Sequence, residues 1–231
     1  MRTYGQFCPV AKAAEIFAER WTPLIVRELL AGSHRFSELE RGLPGIPRSL
    51  LVQRLRALAR AGVVEQRRTG RNGHDYHLTA AGQELFGIVQ GLGEWGQRWA
   101  NMEIREEDVD PSLLMWDMHR RINVERLPDQ RIVARFQFTG TARGTYWLIL
   151  ERPEPSVCLT DPGFETDLHV TADTLALHRI WMGHAAFRDA VRGGLVTIEG
   201  PSKLARALPG WLALSTFADV KPVVQPRHRS S

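Results

Sequence analysis

The chain has 231 residues, 43% of them hydrophobic and 24% charged, which is the composition of a globular protein. Its two cysteines, Cys8 and Cys158, are too few for a disulfide framework and have no metal-ligand spacing, so a reducing, cytoplasmic compartment is expected. The sequence has no signal-peptide pattern and no apolar run near the roughly 18–20 residues that span a bilayer, which argues against a secreted or integral membrane protein.

The net charge of +4 is unevenly distributed along the chain. Residues 1–101 carry 14 Lys and Arg against 9 Asp and Glu, whereas the remaining residues carry 16 against 17. The basic excess therefore belongs to the first part of the chain, as expected of a surface that meets nucleic acid. Many soluble domains carry as much charge, so this observation is weak on its own.

Three helices are predicted in the first 40 residues. Residues 8–19 carry apolar side chains at helical spacing. Thr22 is placed to cap a second helix over residues 23–31, and residues 35–40 form a short third helix. The second helix is predicted to bury Leu24, Ile25, Leu29 and Leu30.

The stretch from Pro47 to Gly62 predicts a helix with two different faces. Leu51, Leu55 and Leu58 recur at helical spacing and form an apolar stripe. The opposite face offers hydrogen-bonding side chains and one small apolar group that suits a thymine methyl. This opposite face consists of Arg48, Ser49, Val52, Gln53 and Arg56. If the helix is considered alone, the alternative interpretation is a solvated, arginine-rich surface helix.

A basic β-hairpin is predicted directly after this helix. Residues 63–68 and 74–78 have strand patterns, and the residues between them favour a turn. Helices, a Gly/Pro turn, another helix and a hairpin in this order are typical of a winged helix-turn-helix, which binds duplex DNA. Outside the helix predicted from Pro47 to Gly62, the candidate DNA-binding residues are Arg35, Ser37, Arg67, Arg68 and Arg71.

Thr79 is predicted to cap a long helix over residues 80–101. Its several glycines indicate either a break or the close approach of another helix. We interpret its apolar side as a dimer interface shared with the first helix. The alternative is that these residues cover the core of their own domain. The apolar side consists of Leu85, Val89, Leu92, Trp95 and Trp99.

Several short motifs follow one another in the first hundred residues: Cys8-Pro9-Val10, Trp21-Thr22, Arg35-Phe36-Ser37-Glu38-Leu39, Leu43-Pro44-Gly45-Ile46, Gln53-Arg54-Leu55, Ala61-Gly62-Val63-Val64, Tyr76-His77-Leu78-Thr79 and Gly82. In these motifs the chain resembles the HxlR-type winged-helix transcriptional regulators. The resemblance implies a dimeric, cytoplasmic, prokaryotic protein that binds double-stranded DNA at inverted-repeat operators. In some members the cysteine that matches Cys8 senses oxidants or electrophiles, although an inert cysteine is the alternative. Arg20 departs from the lysine or glycine that the family often has before the tryptophan.

The second part of the chain begins with an acidic stretch, residues 102–110, which we interpret as a linker. A helix is predicted over residues 111–119, and the hairpins that follow make the predicted sheet largely antiparallel. The predicted strands are 132–138, 145–151, 156–160, 166–171 and 195–200. The predicted helices are 172–182, 184–191 and one that starts at Pro201.

The order of strand, Trp-bearing helix, Gly183, short helix and strand resembles the sterol-carrier-protein-like fold over roughly residues 110–218. This resemblance implies an antiparallel sheet packed with helices and, in some members, an apolar cavity for a lipid-like ligand. The candidate cavity residues are Phe136, Phe138, Trp147, Ile149, Trp181, Met182 and Phe187. The alternative is that these apolar residues are simply part of the core.

The predicted fold class is therefore α+β. It consists of a winged helix DNA-binding and dimerisation domain (1–101), a linker (102–110), a sterol-carrier-like ligand-binding domain (111–220) and a disordered tail (221–231). No nucleophile elbow, phosphate-binding glycine motif or zinc spacing occurs, so neither an enzyme nor a cofactor is predicted.

The predicted function is a dimeric, sequence-specific transcriptional regulator. We expect a repressor controlled by a small apolar ligand or by thiol oxidation. The alternative is a carrier of lipids or other apolar ligands whose winged helix is an interaction module.

Overall fold

The computed structural model describes residues 3–70, 73–100, 104 and 108–223. The chain divides into two compact units, residues 1–93 and 94–231. Most of the predicted linker and residues 224–231 of the predicted tail lie outside the described residues, so these predictions stay predictions.

The first unit has the element order of a winged helix-turn-helix. The β-strands pair in antiparallel register, with Val64 opposite Leu78 and Thr69 opposite Gly73. The predicted hairpin and the predicted helices before it are confirmed, with ends that differ by at most two residues. The elements are α1 (Pro9–Phe17), α2 (Thr22–Leu30), α3 (Phe36–Gly42), α4 (Arg48–Arg60), β1 (Val64–Thr69), β2 (Gly73–Leu78) and α5 (Ala80–Gln83).

The core of this unit lies between α2, α3, α4 and the hairpin. Leu51, Leu55 and Leu58 of α4 are all buried there, which confirms the predicted apolar stripe. Gly62, just beyond the helix, has a φ of 72° and ends α4 in the left-handed conformation that glycine adopts without strain.

Two predictions about α2 were wrong. Leu24 is exposed, because the buried face of the helix is defined by its neighbours Ile25, Val26 and Leu29, and position 24 points about 100° away from position 25. Thr22 does not cap the helix. It is the first helical residue and is buried, and it follows Trp21, whose backbone is left-handed with a φ of 77°.

The predicted long helix over residues 80–101 is interrupted, which is one of the two alternatives stated for it. Thr79 does cap α5, since its hydroxyl oxygen accepts a hydrogen bond from the backbone N–H of Gly82 at 3.2 Å. The chain then breaks at residues 84–85. It resumes as α6 (Phe86–Trp95) and continues as a π-helical turn over Gly96–Ala100. The break falls at Glu84 and Leu85, whereas Gly87, Gly91 and Gly93 lie within α6.

The second unit consists of a sheet with helices packed against it. Within the described residues, the strand order is β5-β4-β3-β6-β7, and every neighbouring pair is antiparallel except β3 and β6. The predicted largely antiparallel sheet is confirmed. The elements are α7 (Pro111–His119), β3 (Ile132–Thr139), β4 (Gly144–Leu150), β5 (Ser156–Cys158), β6 (Leu168–Asp173), α8 (Thr174–Trp181), α9 (Phe187–Arg192), β7 (Val196–Glu199) and α10 (Ser202–Trp211).

One predicted boundary moves for a local reason. Ala172 lies in β6 and not in the following helix, because α8 starts only after Asp173. The Asp173 carboxylate accepts a hydrogen bond from the backbone N–H of Ala176 at 2.8 Å, which fixes the helix start. Helices α7, α8 and α10 bury their apolar residues against one face of the sheet, where Phe136 and Phe138 are completely enclosed.

Candidate nucleic-acid interface

The face of α4 opposite its leucine stripe is open to solvent. Arg48, Ser49, Gln53 and Arg56 are exposed and Val52 is half-buried, so the predicted outer face is present as one surface. No acidic residue occurs in the sequence between Arg41 and Glu65, so α4 itself carries no carboxylate to oppose a phosphate backbone. This surface, the outer face of α4, presents donors, acceptors and positive charge from a rigid element.

Arg48, at the start of α4, is held by residues of α3. Its Nη1 lies 3.3 Å from Oε1 and 3.4 Å from Oε2 of Glu40. Its Cζ lies 4.8 Å from the centroid of the Phe36 ring, within the range of a cation–π contact. The sequence did not reveal this arrangement, because it joins two helices across the turn of residues 43–47.

Helix α3 exposes Arg35 and Ser37 at its start, as predicted. The Glu38 carboxylate accepts hydrogen bonds from the backbone N–H groups of His34 and Arg35, at 2.8 and 2.9 Å. This bonding satisfies donors that the first turn of a helix leaves free and fixes where α3 begins.

The hairpin is fastened to the segment before α3. The backbone N–H of Tyr76 donates to the carbonyl of His34 at 2.8 Å, and the backbones of Arg35 and Asp75 form an isolated antiparallel β-bridge. The imidazole rings of His34 and His77 stack with centroids 4.2 Å apart. Burial, with a further contribution from His34, lowers the pKa of His77 below its usual value. The wing is therefore positioned by α3 as well as by its own two strands.

The predicted wing cations are exposed on β1. Arg68 is exposed, and Arg67 donates from Nε to Glu65 Oε1 at 2.7 Å. Arg71 lies outside the described residues, so its role stays a prediction.

A buried carboxylate that was not singled out in the sequence joins α2 to α3. Glu28 is fully enclosed, with its Oε1 2.7 Å from Nη2 of Arg27 and its Oε2 accepting a hydrogen bond from the Ser33 hydroxyl at 3.1 Å. Arg27 also donates to the carbonyl of Gly42 at 3.0 Å, at the end of α3. A buried charge is tolerated only when it is paired in this way, so this cluster fixes α3 relative to α2.

The similarity to known proteins covers the part of the chain that contains the helix-turn-helix and the hairpin. The profile of the HxlR-like helix-turn-helix family matches residues 16–104. The HTH-type transcriptional regulator YvaP of Bacillus subtilis is 36% identical over 113 residues, which are 48% of this chain and 96% of YvaP. An HTH-type regulator of Mycobacterium tuberculosis is 41% identical over 92 residues, 39% of this chain. The chain spans 58% of the length of that mycobacterial relative.

The chain belongs to the HxlR-like helix-turn-helix family of transcriptional regulators. Among solved structures, the transcriptional regulator YodB from B. subtilis is similar, with 28% identity, 40% of this chain and 93% of YodB covered, and a TM-score of 0.35. The family match ends at residue 104, so the likeness of residues 111–220 to sterol carriers stays a prediction.

The family match includes helix α6, whose predicted apolar side divides into a part that packs on the core and a part that is exposed. Leu85 and Val89 pack partly against the core of the first unit. Leu92 and Trp95 are 50% and 60% exposed, and Trp99, in the π-helical turn, is also exposed. Phe86 and Ile88 are exposed as well and were not singled out in the sequence. We call Ile88, Leu92, Trp95 and Trp99 the α6 apolar stripe, because Phe86 lies about 160° around the helix from Ile88 and faces another side.

The N-terminal segment of the regulator adds further exposed apolar groups. Phe7 is 98% exposed and Val10 is also exposed, next to the half-buried Cys8 that precedes α1. The Glu15 carboxylate holds this segment by accepting hydrogen bonds from the Tyr4 backbone N–H and the Thr3 hydroxyl, both at 2.8 Å. These bonds lower the pKa of Glu15.

The candidate cavity residues of the second unit lie on two faces of the sheet. Arg135 on β3 is opposite Trp147 on β4, and Phe136 is opposite Tyr146, so alternation places Trp147 and Ile149 on the face away from Phe136 and Phe138. The predicted set therefore cannot line a single cavity. The members that share the core with Phe136 and Phe138 are Trp181, Met182 and Phe187.

No helix among the described residues combines the length and the hydropathy needed to cross a membrane.

Proposed function

We propose that this protein is a cytoplasmic, dimeric repressor that binds an inverted-repeat operator through the outer face of α4. In this proposal α4 enters the major groove, where Arg48, Ser49, Val52, Gln53 and Arg56 contact base edges and phosphates. The two copies of α4 in the dimer lie about 34 Å apart and meet half-sites one helical turn apart.

The observation that carries this proposal is the division of α4 into two faces. Leu51, Leu55 and Leu58 are buried, whereas Arg48, Ser49, Gln53 and Arg56 are exposed, on a rigid helix without any carboxylate. Around it, Arg35 and Ser37 on α3 and Arg67 and Arg68 on the wing supply contacts to the phosphate backbone. Affinity should therefore fall steeply as salt is added.

The test is an operator-binding titration of Arg56→Ala, followed by fluorescence anisotropy. Arg56 is exposed, so its loss should leave the thermal unfolding temperature unchanged while weakening operator binding by about 1–3 kcal/mol. The matched control is Arg192→Ala, which removes an exposed arginine from α9 in the second unit. Equal affinity of wild type and Arg56→Ala would remove Arg56 from the interface.

The α6 apolar stripe supports the dimer. A row of exposed apolar side chains along one helix is costly in water and marks a protein interface. A second copy of the chain, presenting the same stripe together with Phe7 and Val10, would cover it. Sedimentation velocity across a range of protein concentrations tests this part of the proposal, and a monomer at micromolar concentration would contradict it.

For control of binding, we propose that an apolar ligand occupies the second unit. Met182 and Phe187 are only partly buried against its core, on the face that holds Phe136. A ligand there changes DNA affinity only if it binds the operator-bound and free arrangements unequally. Thermal shift against fatty acids, sterols and aromatic compounds tests this idea. If no compound raises the unfolding temperature, the second unit has a scaffold role.

The second proposed control is oxidation of Cys8. Its position before α1 and beside the exposed Phe7 places the thiol next to the segment proposed to meet the second copy. Diamide should then abolish operator binding by wild type but not by Cys8→Ser. Cys158→Ser is the control, because that cysteine lies in β5 of the second unit. Loss of binding in Cys8→Ser after diamide would assign the effect to another group.

A further inference from the structure

Arg48 stands where a helix least favours a cation. It is the first residue of α4, at the positive end of the helix dipole, where acidic side chains are favoured and basic ones are not. Its side chain is 75% exposed, so packing of the core does not require it. The residue needs another explanation than the stability of α4.

Helix α3 supplies a two-part cradle for its guanidinium. Phe36 and Glu40 are four residues apart and so lie on the same face of α3. The ring of Phe36 lies 4.8 Å from the Arg48 Cζ, and both carboxylate oxygens of Glu40 lie within 3.4 Å of its Nη1. An exposed ion pair of this kind contributes only about 0–1 kcal/mol to folding, so the main effect of the cradle is to orient the side chain.

The orientation matters for the donors that remain. Arginine has five N–H donors in a fixed plane, and the Glu40 contacts involve only Nη1. Nε and Nη2 remain for a pair of acceptors, and guanine presents such a pair, O6 and N7, in the major groove. The Glu40 carboxylate also repels phosphate, which discourages Arg48 from turning to the DNA backbone.

We infer that Glu40 is a specificity-determining residue of the operator contact: with Phe36 it holds Arg48 so that the free donors bind a guanine and not a phosphate. This inference rests on the proposed function, since it requires the outer face of α4 to lie in the major groove. Glu40 acts through Arg48 and is a positioning residue.

The experiment uses the full chain in two steps. Selection from a random-sequence duplex pool first gives the preferred operator of wild type. Anisotropy titrations then measure the affinity ratio between that operator and single-base-pair variants, for wild type, Arg48→Ala, Glu40→Gln, Glu40→Asp and Glu65→Gln. Thermal unfolding of each variant verifies the fold. Glu65→Gln is the matched control, because it also removes an exposed carboxylate paired with an arginine, here Arg67.

Arg48→Ala should abolish discrimination at one G·C pair of each half-site, a change of about 5- to 150-fold. Glu40→Gln should reduce discrimination at that same pair at least fivefold and tighten binding to unrelated duplex, whereas Glu40→Asp should restore part of it. Glu65→Gln should tighten binding to unrelated duplex without changing base preference. A merely structural role for Glu40 would not move the preference at one chosen base pair.

Two results would overturn the inference. In the first, the Glu40→Gln protein still discriminates fully between the operator and its single-base-pair variants, whereas the Arg48→Ala protein does not. This result would show that Arg48 does not need Glu40 to position it. Arg48→Ala that keeps discrimination at every base pair would show that Arg48 contacts no base. If Glu40→Gln unfolds, Phe36→Leu tests the same cradle with an apolar side chain retained. Failure of the proposed function is a different outcome, because wild type itself would then select no sequence.

Discussion

Helices α4 and α6 are both amphipathic, but they expose opposite surfaces. α4 buries three leucines and presents arginine, serine and glutamine to solvent. α6 leaves Phe86, Ile88, Leu92 and Trp95 exposed, and no residue of α6 is fully buried. The same periodicity therefore leads to two different surfaces, one polar and basic and one apolar.

The difference shows what kind of partner each helix needs. A polar, carboxylate-free face loses little by staying hydrated until it meets an anion, and it suits a charged duplex. An exposed apolar stripe gains free energy whenever it is covered by another apolar surface, at about 25 cal/mol per Å². The outer face of α4 is thus suited to reversible DNA contact, and the α6 apolar stripe to a lasting protein contact.

The largest expected effect comes from placing a charge on the α6 apolar stripe. Leu92→Glu should separate the proposed dimer, because a carboxylate at the centre of its interface would be buried without a partner. Since two linked half-sites bind more tightly than one, operator affinity should fall by about 10²- to 10⁴-fold. Sedimentation velocity and anisotropy measure the two effects.

The control for this prediction is Leu195→Glu. Leu195 is 51% exposed, nearly the same as Leu92, but it precedes β7 in the second unit. It should change neither the sedimentation coefficient nor operator affinity. If both variants behave alike, the stripe has no special role and the comparison between α4 and α6 fails.

The next prediction compares a buried residue of α4 with its exposed neighbour. Leu55→Ala removes buried side-chain volume and should lower the free energy of unfolding by about 2–5 kcal/mol. Its neighbour Arg56→Ala should change it by less than about 0.5 kcal/mol while weakening operator binding. Urea unfolding of both variants gives these values. Equal destabilisation would mean that the outer face also serves the fold.

The two helices also show what the sequence could and could not reveal. For α4, the leucine spacing, Pro47 and Gly62 place the helix within two residues, because local rules and burial agree. For α6, the apolar spacing was present, but it did not reveal that Val89 packs against the core while Ile88 and Leu92 stay exposed. Periodicity shows that a helix has an apolar side, but not which part of that side its own domain covers.

The sequence also does not show which residues of different strands or helices become neighbours in the fold. Trp147 and Phe136 both look like core residues, yet the pairing of Trp147 with Arg135 places it on the other face of the sheet. The contact of Arg48 with Glu40 and Phe36 likewise depends on how α3 and α4 pack. The residue types at the candidate interface were predictable, but their partners were not.

A smaller effect is the dependence of folding stability on pH that a buried histidine causes. Burial, reinforced by nearby His184, lowers the pKa of His178, whose Nδ1 is buried without a hydrogen-bond partner among the described residues. The unfolded chain therefore binds a proton near pH 6.5 that the folded chain resists, so stability is lost as pH falls from about 7 through the lowered pKa.

Urea unfolding from about pH 7.5 to 5.5 checks the sign of this effect. His178→Gln should flatten the loss of stability that wild type shows in acid. His169→Gln is the control, because His169 is exposed on β6 and should leave the profile of wild type intact. An unchanged slope in His178→Gln would assign the pH dependence to His77 or His184, whose pKa values are lowered by burial as well.

The smallest effect tests the basic surface next to α4. Glu65→Gln removes the exposed partner of Arg67 on β1, and an exposed pair contributes only about 0–1 kcal/mol to folding. The unfolding temperature should therefore hardly change, while affinity for any duplex should rise modestly because one repulsive charge is lost and Arg67 is released. Anisotropy at two salt concentrations measures this gain, which should shrink as salt screens the phosphates. A gain confined to the operator would instead place Glu65 near a base, and an unchanged affinity for every duplex would show that the wing does not face DNA.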